Sequence, residues 1–152
     1  MIETGTNNPI LRQKAKPIEK INKETSKLVN LMIQEIQNNN GVGLAAPQIG
    51  QSVRVIVIQD PNTHKTYSFI NPSIKRYSTK TALCEEACLS LPGISGMVER
   101  PQEIIIEARN LNNKKVKMKL KDMLSRIFQH EYDHLEGILF IDKAIVINKQ
   151  TK

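Results

Sequence analysis

Residues 115–140 read KVKMKLKDMLSRIFQHEYDHLEGILF and contain the clearest secondary-structure pattern in the chain. Apolar residues alternate with lysines over residues 115–121, a two-residue period that predicts a strand with one exposed face. Over residues 122–136 the apolar positions recur every three to four residues instead, which predicts a helix that Gly137 ends. The apolar run at 138–141 predicts a short final strand.

The elements around this stretch are predicted from the same two periodicities. Residues 25–38 carry apolar side chains at three- and four-residue steps and predict an N-terminal helix. Residues 53–58 and 103–107 are β-branched runs that predict buried strands, and residues 67–70 and 74–77 are shorter candidates. Two helices and several antiparallel strands indicate the α+β class, with the strands packed around the second helix.

The composition fits one folded domain and excludes several classes of protein. Of the 152 residues, 39% are hydrophobic and 24% are charged, so the chain can bury a core and is too apolar to be disordered. No apolar run approaches the roughly 20 residues that span a bilayer, and the N-terminus lacks the pattern of a secretory signal. The two cysteines, four residues apart, offer no disulfide framework, which favours a reducing compartment. We therefore expect a single domain over residues 1–152 with no membrane partner.

The segment His130-Glu131-Tyr132-Asp133-His134 lies on the second predicted helix. Residues four apart on a helix point the same way, so both imidazoles can reach one metal ion while Glu131 lies beside them. Zinc and ferrous iron both accept imidazole nitrogen. Two of the chain's three histidines fall on this otherwise apolar helix face, which favours a metal site over two ordinary packed histidines.

A third protein ligand is expected, because two imidazoles do not hold a catalytic metal tightly. Phe140 stands where metzincin proteases place a third histidine, and no acidic residue follows Asp142, so the ligand must come from upstream. The upstream candidates of ligand type are Cys84, Cys88 and His64.

Three motifs, taken in order, resemble the signature motifs of peptide deformylases. They are Gly41-Val-Gly-Leu-Ala-Ala-Pro-Gln48, Glu86-Ala-Cys-Leu-Ser90 and Gln129-His-Glu-Tyr-Asp-His134. The resemblance covers nearly the whole chain. It implies a metal-dependent hydrolase that removes the formyl group from the N-terminal formyl-methionine of newly synthesised polypeptides and releases formate. It also implies one divalent ion, with ferrous iron as the physiological metal and zinc, nickel or cobalt as substitutes, in a bacterial cytoplasm or an organellar matrix.

The same resemblance implies a role for each residue that matches a motif. The expected metal ligands are Cys88, His130 and His134. Glu131 is the expected general acid and base, while the Gln48 side chain and the Leu89 backbone N–H are the expected hydrogen-bond donors to the reacting oxygen. The residues expected to bind the substrate are Val42, Gly43, Cys84, Met123 and Ile127, of which Gly43 would pair with the peptide backbone. The residues expected to support the site are Glu86, Arg100 and Asp133.

Two positions depart from the family pattern. Ala87 stands where the second motif usually has glycine, which leaves open an inactive relative that is kept as a binding module. Residues 93–95 lack the arginine that some members place near the substrate peptide, a difference that bears on specificity beyond methionine.

Two further functions stay open from the residues alone. A metalloprotease would share both histidines and the glutamate of the helix motif. The net charge of +7 and the lysine-rich strand are compatible with a nucleic-acid-binding protein, although a solvated edge strand is the simpler interpretation. We expect no specific nucleic-acid partner and, at most, transient contact with the ribosome.

Overall fold

Antiparallel strands and three helices make up the fold in the computed structural model, which describes residues 1–150; the last two residues of the predicted domain lie outside that range. The predicted α+β class is confirmed. The helices are α1 (Pro9–Arg12), α2 (Lys23–Asn38) and α3 (Asp122–Leu135). The strands are β1 (Gly43–Ala45), β2 (Val55–Gln59), β3 (Thr66–Tyr77), β4 (Thr81–Ala87), β5 (Ile94–Pro101), β6 (Glu103–Arg109), β7 (Lys115–Lys121) and β8 (Val146–Lys149).

The strands form two sheets, and helix α3 contacts both of them. The larger sheet has the order β1-β2-β3-β6-β7 and the smaller has the order β4-β5-β8, with antiparallel pairing throughout. Helix α3 packs against β1, β2, β6 and β7 of the larger sheet and against β5 of the smaller one. Strands β1 and β4 are edge strands, so one side of each is unpaired. Within residues 1–150, none of the helices combines the length and apolar character that crossing a membrane requires.

Strand β2 is buried on both faces, which explains its uninterrupted apolar sequence. Ile56 and Ile58 pack into the cluster beneath α3, while Val55 and Val57 pack into the cluster beneath α2. Successive side chains of a strand point to opposite faces, so β2 separates these two apolar layers. On the α3 side, Phe69 and Phe128 meet edge to face with ring centroids 5.3 Å apart.

Two predicted elements differ from the structure. The strands predicted at 67–70 and 74–77 are one strand, β3, whose pairing register shifts between Ile70 and Ser73. Asn71 takes a φ of 50° at this irregularity, and its side chain exchanges hydrogen bonds with the backbone of Ile18. The prediction of a strand at 138–141 is wrong.

A 3₁₀ turn at Phe140–Asp142 occupies the end of that segment instead of a strand. Leu139 and Phe140 are both buried in one cluster with Leu11 and Val98. The chain therefore turns so that consecutive apolar residues bury together, whereas a strand would point them in opposite directions.

Gly137 allows the N-terminal arm to pack directly on the end of α3. Its φ is 73°, and a methyl group added there would lie 2.5 Å from the backbone oxygen of Arg12. Gly93 has a similar φ of 76° but no atom within 4 Å of the corresponding position. An alanine at Gly93 would therefore meet backbone strain alone, whereas an alanine at Gly137 would meet the same strain and a steric clash.

We predict that Gly93→Ala lowers the free energy of unfolding by about 1 kcal/mol, the cost of a left-handed alanine. Gly137→Ala should cost roughly 2 kcal/mol more, because the arm must also move away from α3. Urea unfolding of both variants measures the difference. Equal losses in the two variants would contradict the close contact between Gly137 and the arm.

Candidate metal centre

Three side chains of metal-ligand type meet where helix α3 passes the end of strand β4. The sulfur of Cys88 and one ring nitrogen each of His130 and His134 all lie within 4.8 Å of one another. Cys88 Sγ is 3.3 Å from His134 Nε2, and the two ring centroids are 5.2 Å apart. One helical turn separates the histidines, and Cys88 directly follows β4. The convergence therefore depends on how α3 docks on the smaller sheet.

Of the three upstream candidates for a third ligand, Cys88 alone joins the two histidines among the described residues. His64 lies in the exposed loop between β2 and β3. Cys84 lies within β4, opposite Val98 of β5. The geometry thus selects one of the alternatives that residue types alone leave open.

The site fits a divalent cation by its donor atoms, and the two histidines differ in their protonation. A cysteine sulfur with two imidazole nitrogens is a donor set that zinc and ferrous iron accept, at distances of about 2.0–2.3 Å. Burial opposes a positive charge on His130, but hydrogen bonds to Cys88 and Glu86 outweigh burial and hold the pKa of His130 well above its usual value, so a cation that binds there must displace a proton from this ring. Burial holds the pKa of His134 well below its usual value, which keeps that ring in the neutral form that binds metals.

Glu86 contacts His130 directly and is itself held by two arginines. Its Oε1 lies 2.8 Å from His130 Nδ1, so the ionised carboxylate accepts a hydrogen bond from Nδ1–H, and Nε2 is left to face the cluster. Arg100 donates to both carboxylate oxygens at 2.6 and 3.0 Å, and Arg126 donates to Oε2 at 2.5 Å. Burial alone would raise the pKa of Glu86, but the hydrogen bonds to His130 and Arg100 and the charge of Arg100 lower it to about 2. Arg100 also donates to Asp133 Oδ2 at 2.9 Å.

Glu131 lies beside the cluster in a state suited to proton transfer. Its carboxylate is buried, and Oε2 has no hydrogen-bond partner within residues 1–150. Burial raises the pKa of Glu131 to about 7, while the charge of His130 acts in the opposite direction. A carboxyl group with a pKa near neutrality can both accept and return a proton.

Gln48 presents its amide nitrogen to the same cluster. The side chain is buried, and its Oε1 accepts a hydrogen bond from the backbone N–H of Ala45 at 2.9 Å. This bond directs Nε2 towards Cys88 Sγ, at 3.5 Å, and towards Ser90 Oγ, at 3.1 Å. The backbone N–H of Leu89 has no acceptor among the described residues, so two N–H donors lie close to the ligands.

A cavity of about 380 Å³ opens beside the cluster. Apolar side chains of Val42, Met123 and Ile127 form one part of its lining, and residues 85–89 form another. Val42 and Met123 are 43% and 51% exposed, so they stand at the mouth, whereas Ile127 is buried. Gly43 of the edge strand β1 and the end of the edge strand β4 both line the cavity, so edge strands of the two sheets meet there.

Gly43 allows β1 to approach α3 closely. A methyl group at this position would lie 2.8 Å from Glu131 Oε1 and 2.9 Å from Ile127 Cγ2. Cys84 is half-buried and is not among the residues that line the described cavity, in contrast to the other expected pocket residues.

Arg126 and Ser90 are polar residues of the site that the sequence did not single out for a role. Arg126 lies one helical turn before His130, and this spacing on an otherwise apolar face was the available signal. Ser90, the last residue of the second motif, accepts a hydrogen bond from Gln48 through its hydroxyl oxygen. Ala87 ends β4 opposite Ser95. Its backbone φ lies outside the left-handed region, so this position does not need a glycine. Its methyl group lines the cavity.

The known proteins that this chain resembles belong to one family. The model of the polypeptide deformylase family matches residues 4–150. A peptide deformylase of Halothermothrix orenii is 42% identical over 143 residues, which cover 94% of this chain and 92% of that protein. The Arabidopsis thaliana protein named peptide deformylase 1B, chloroplastic/mitochondrial, is 42% identical over 90% of this chain and 51% of its own length. The crystal structure of peptide deformylase from Thermotoga maritima superposes with a TM-score of 0.91 at 36% identity, covering 96% of this chain and 97% of that one.

We predict that Glu86→Gln weakens divalent-metal binding by roughly 10- to 100-fold, because the neutral amide no longer orients and polarises His130. The free energy of unfolding should fall by about 3–5 kcal/mol, since two buried arginines lose their anionic partner. Chelator competition with Zn²⁺ measures the affinity, and Glu107→Gln, on the surface of the larger sheet, is the control. Unchanged affinity in Glu86→Gln would contradict the orienting contact.

Proposed function

The chain belongs to the polypeptide deformylase family, and from this premise we propose that it hydrolyses the N-terminal formyl-methionine of newly synthesised polypeptides and releases formate. It is a metal-dependent hydrolase of N-terminal protein processing. The observation that carries the proposal is the convergence of Cys88, His130 and His134 within 4.8 Å, next to a buried Glu131.

We propose that Cys88, His130 and His134 hold the metal. When bound, a divalent cation supplies Lewis-acid chemistry, which polarises a carbonyl and makes water a better nucleophile. Ferrous iron is the proposed physiological ion, with zinc, nickel or cobalt as substitutes. The soft thiolate together with two imidazoles supports an ion from this group over calcium or magnesium.

Glu131 is the proposed general base and acid. Its free Oε2 takes a proton from the attacking water as the water oxygen bonds to the formyl carbon. When the carbon–nitrogen bond breaks, the same carboxyl group gives that proton to the leaving amine. The Gln48 amide and the Leu89 backbone N–H are the proposed donors to the oxygen that becomes negative, each worth about 3 kcal/mol in the transition state.

The substrate is proposed to lie in the cavity between the two sheet edges. Val42, Met123 and Ile127 supply the apolar surface that a methionine side chain requires. The unpaired edge of β1 at Gly43 can add the peptide backbone as a further strand. Cys84 does not line the cavity, so no substrate-binding role is proposed for it.

Several broader features belong to the same proposal. Residues 1–152 would act as one catalytic domain, which the family match over residues 4–150 supports. Relatives from bacteria and one named chloroplastic/mitochondrial support a bacterial cytoplasm or an organellar matrix. The charge of +7 supports transient ribosome contact, but the lysines of β7 are partly neutralised by Glu103 and Glu107, so no specific nucleic-acid partner is proposed.

We predict that Glu131→Ala keeps its metal but releases formate from formyl-Met-Ala-Ser roughly 10²- to 10⁴-fold more slowly, because proton transfer is lost. Metal content and formate release are measured together, with the exposed Glu24→Ala as control. Near-normal release would remove Glu131 from the mechanism. Cleavage of internal peptide bonds without formate release by the wild type would indicate a protease instead.

The proposed ferrous form should be sensitive to oxygen, because both iron and the Cys88 thiolate can be oxidised. Protein purified without oxygen should contain iron and lose formate release over hours in air. Protein reloaded with nickel should retain it under the same conditions. Full retention by the iron-loaded protein would contradict ferrous iron as the working metal.

A further inference from the structure

Arg126 is a buried cation on the wall of the cavity that the proposed mechanism does not use. It lies on α3 one turn before His130 and is only 7% exposed. Its Nη1 donates to Glu86 Oε2 at 2.5 Å and to the Val98 backbone oxygen at 3.0 Å, and its Nη2 donates to the Ala82 backbone oxygen at 2.7 Å. The guanidinium therefore ties α3 to both β4 and β5.

The two carboxylate oxygens of Glu86 have different partners. Oε1 accepts from His130 and from Arg100, while Oε2 accepts from Arg100 and from Arg126. Arg100 alone could hold the carboxylate in one plane through its two bonds. Arg126 adds a contact from the helix that also carries His130, so the carboxylate is held to α3 at two positions one turn apart.

Arg126 also differs from Arg100 in where it lies. Arg126 and Glu86 both line the cavity, whereas Arg100 is not among the lining residues of the described chain. Arg126 is thus the arginine partner of Glu86 that an occupant of the cavity can also contact. Its aliphatic stem can at the same time contact an apolar ligand, since arginine stems pack on apolar surface while the guanidinium keeps its polar partners.

We propose that Arg126 is a positioning residue that acts through Glu86 on the metal ligand His130 and joins the substrate cavity to the metal centre. This inference rests on the proposed function for its substrate, but not for its effect on the metal site. It requires that loss of the guanidinium weakens metal binding, in addition to any effect on stability.

Arg54 offers a matched control for the structural part of this role. It is 8% exposed, and its guanidinium also donates to one carboxylate, that of Glu136, and to two backbone oxygens, those of Ala15 and Leu135. It anchors the end of α3 without touching Glu86. Arg54→Met and Arg126→Met therefore each remove hydrogen bonds to one carboxylate and two backbone oxygens, and both changes loosen the attachment of α3.

The experiment compares Arg126→Met, Arg126→Lys and Arg54→Met in the full chain. Urea unfolding gives the stability of each variant, chelator competition gives the affinity for Zn²⁺, and the absorption of the Co²⁺-loaded protein reports on the thiolate and imidazole ligands. We expect Arg126→Met to weaken Zn²⁺ binding roughly 10- to 100-fold and to change the Co²⁺ spectrum. Arg126→Lys should lie between Arg126→Met and the wild type, because the charge stays while the forked geometry is lost.

Arg54→Met should lose stability to a similar extent but bind Zn²⁺ within about two-fold of the wild type, with an unchanged Co²⁺ spectrum. Equal effects of Arg54→Met and Arg126→Met on metal binding, or no effect of either, would overturn the proposal. If Arg126→Met does not fold, a wild-type affinity for Zn²⁺ in Arg126→Lys would likewise overturn the proposal. Metal binding does not require turnover, so a wild type that releases no formate would refute the proposed function while the metal data still test Arg126.

Discussion

A carboxylate as buried as that of Glu86 can stay ionised only when neighbouring groups compensate its charge. Here those groups come from two other elements, Arg100 from β5 and both Arg126 and His130 from α3. Because all of them must reach one anion on β4, their hydrogen bonds fix α3 relative to the smaller sheet. The positions of the proposed metal ligands follow from this constraint. Cys88 comes two residues after Glu86 in the chain, and His130 is a hydrogen-bond partner of Glu86.

The same constraint explains which strands the sequence could predict. Strands β2, β6 and β7 were predictable because their apolar residues either run continuously or alternate cleanly. Strands β4 and β5 direct charged side chains, Glu86 and Arg100, into the interior, so the usual relation between polarity and exposure fails there. Strand β8 is exposed along its whole length and carries no burial pattern. Its position depends on pairing with β5, which is a tertiary contact.

The site shows a similar division between local and tertiary information. The helix motif predicted two ligands and a neighbouring glutamate, because residues four apart on a helix must share a face. Residue types alone leave the third ligand open between Cys84, Cys88 and His64, and only the tertiary structure brings Cys88 to the two histidines. The contacts of Arg126 and Ser90 depend on the docking of α3 on the smaller sheet, and residue spacing alone does not specify that docking.

Helix α3 is held by buried arginines on both sides of its metal-ligand pair. Arg126 ties its first half to β4 and β5, and Arg54, the residue before β2, ties its end at Leu135 and Glu136 to the larger sheet. The two histidines lie between these anchors. Removing two guanidiniums from water costs several kcal/mol each before their partners compensate, and apolar side chains of similar size could stabilise the helix as well or better. Apolar packing, however, has no preferred direction, whereas forked hydrogen bonds to fixed oxygens have one. The Arg126 anchor, which reaches His130 through Glu86, therefore suits a helix that is proposed to hold an imidazole in one orientation towards a cation, whereas Arg54 fixes only the end of the helix.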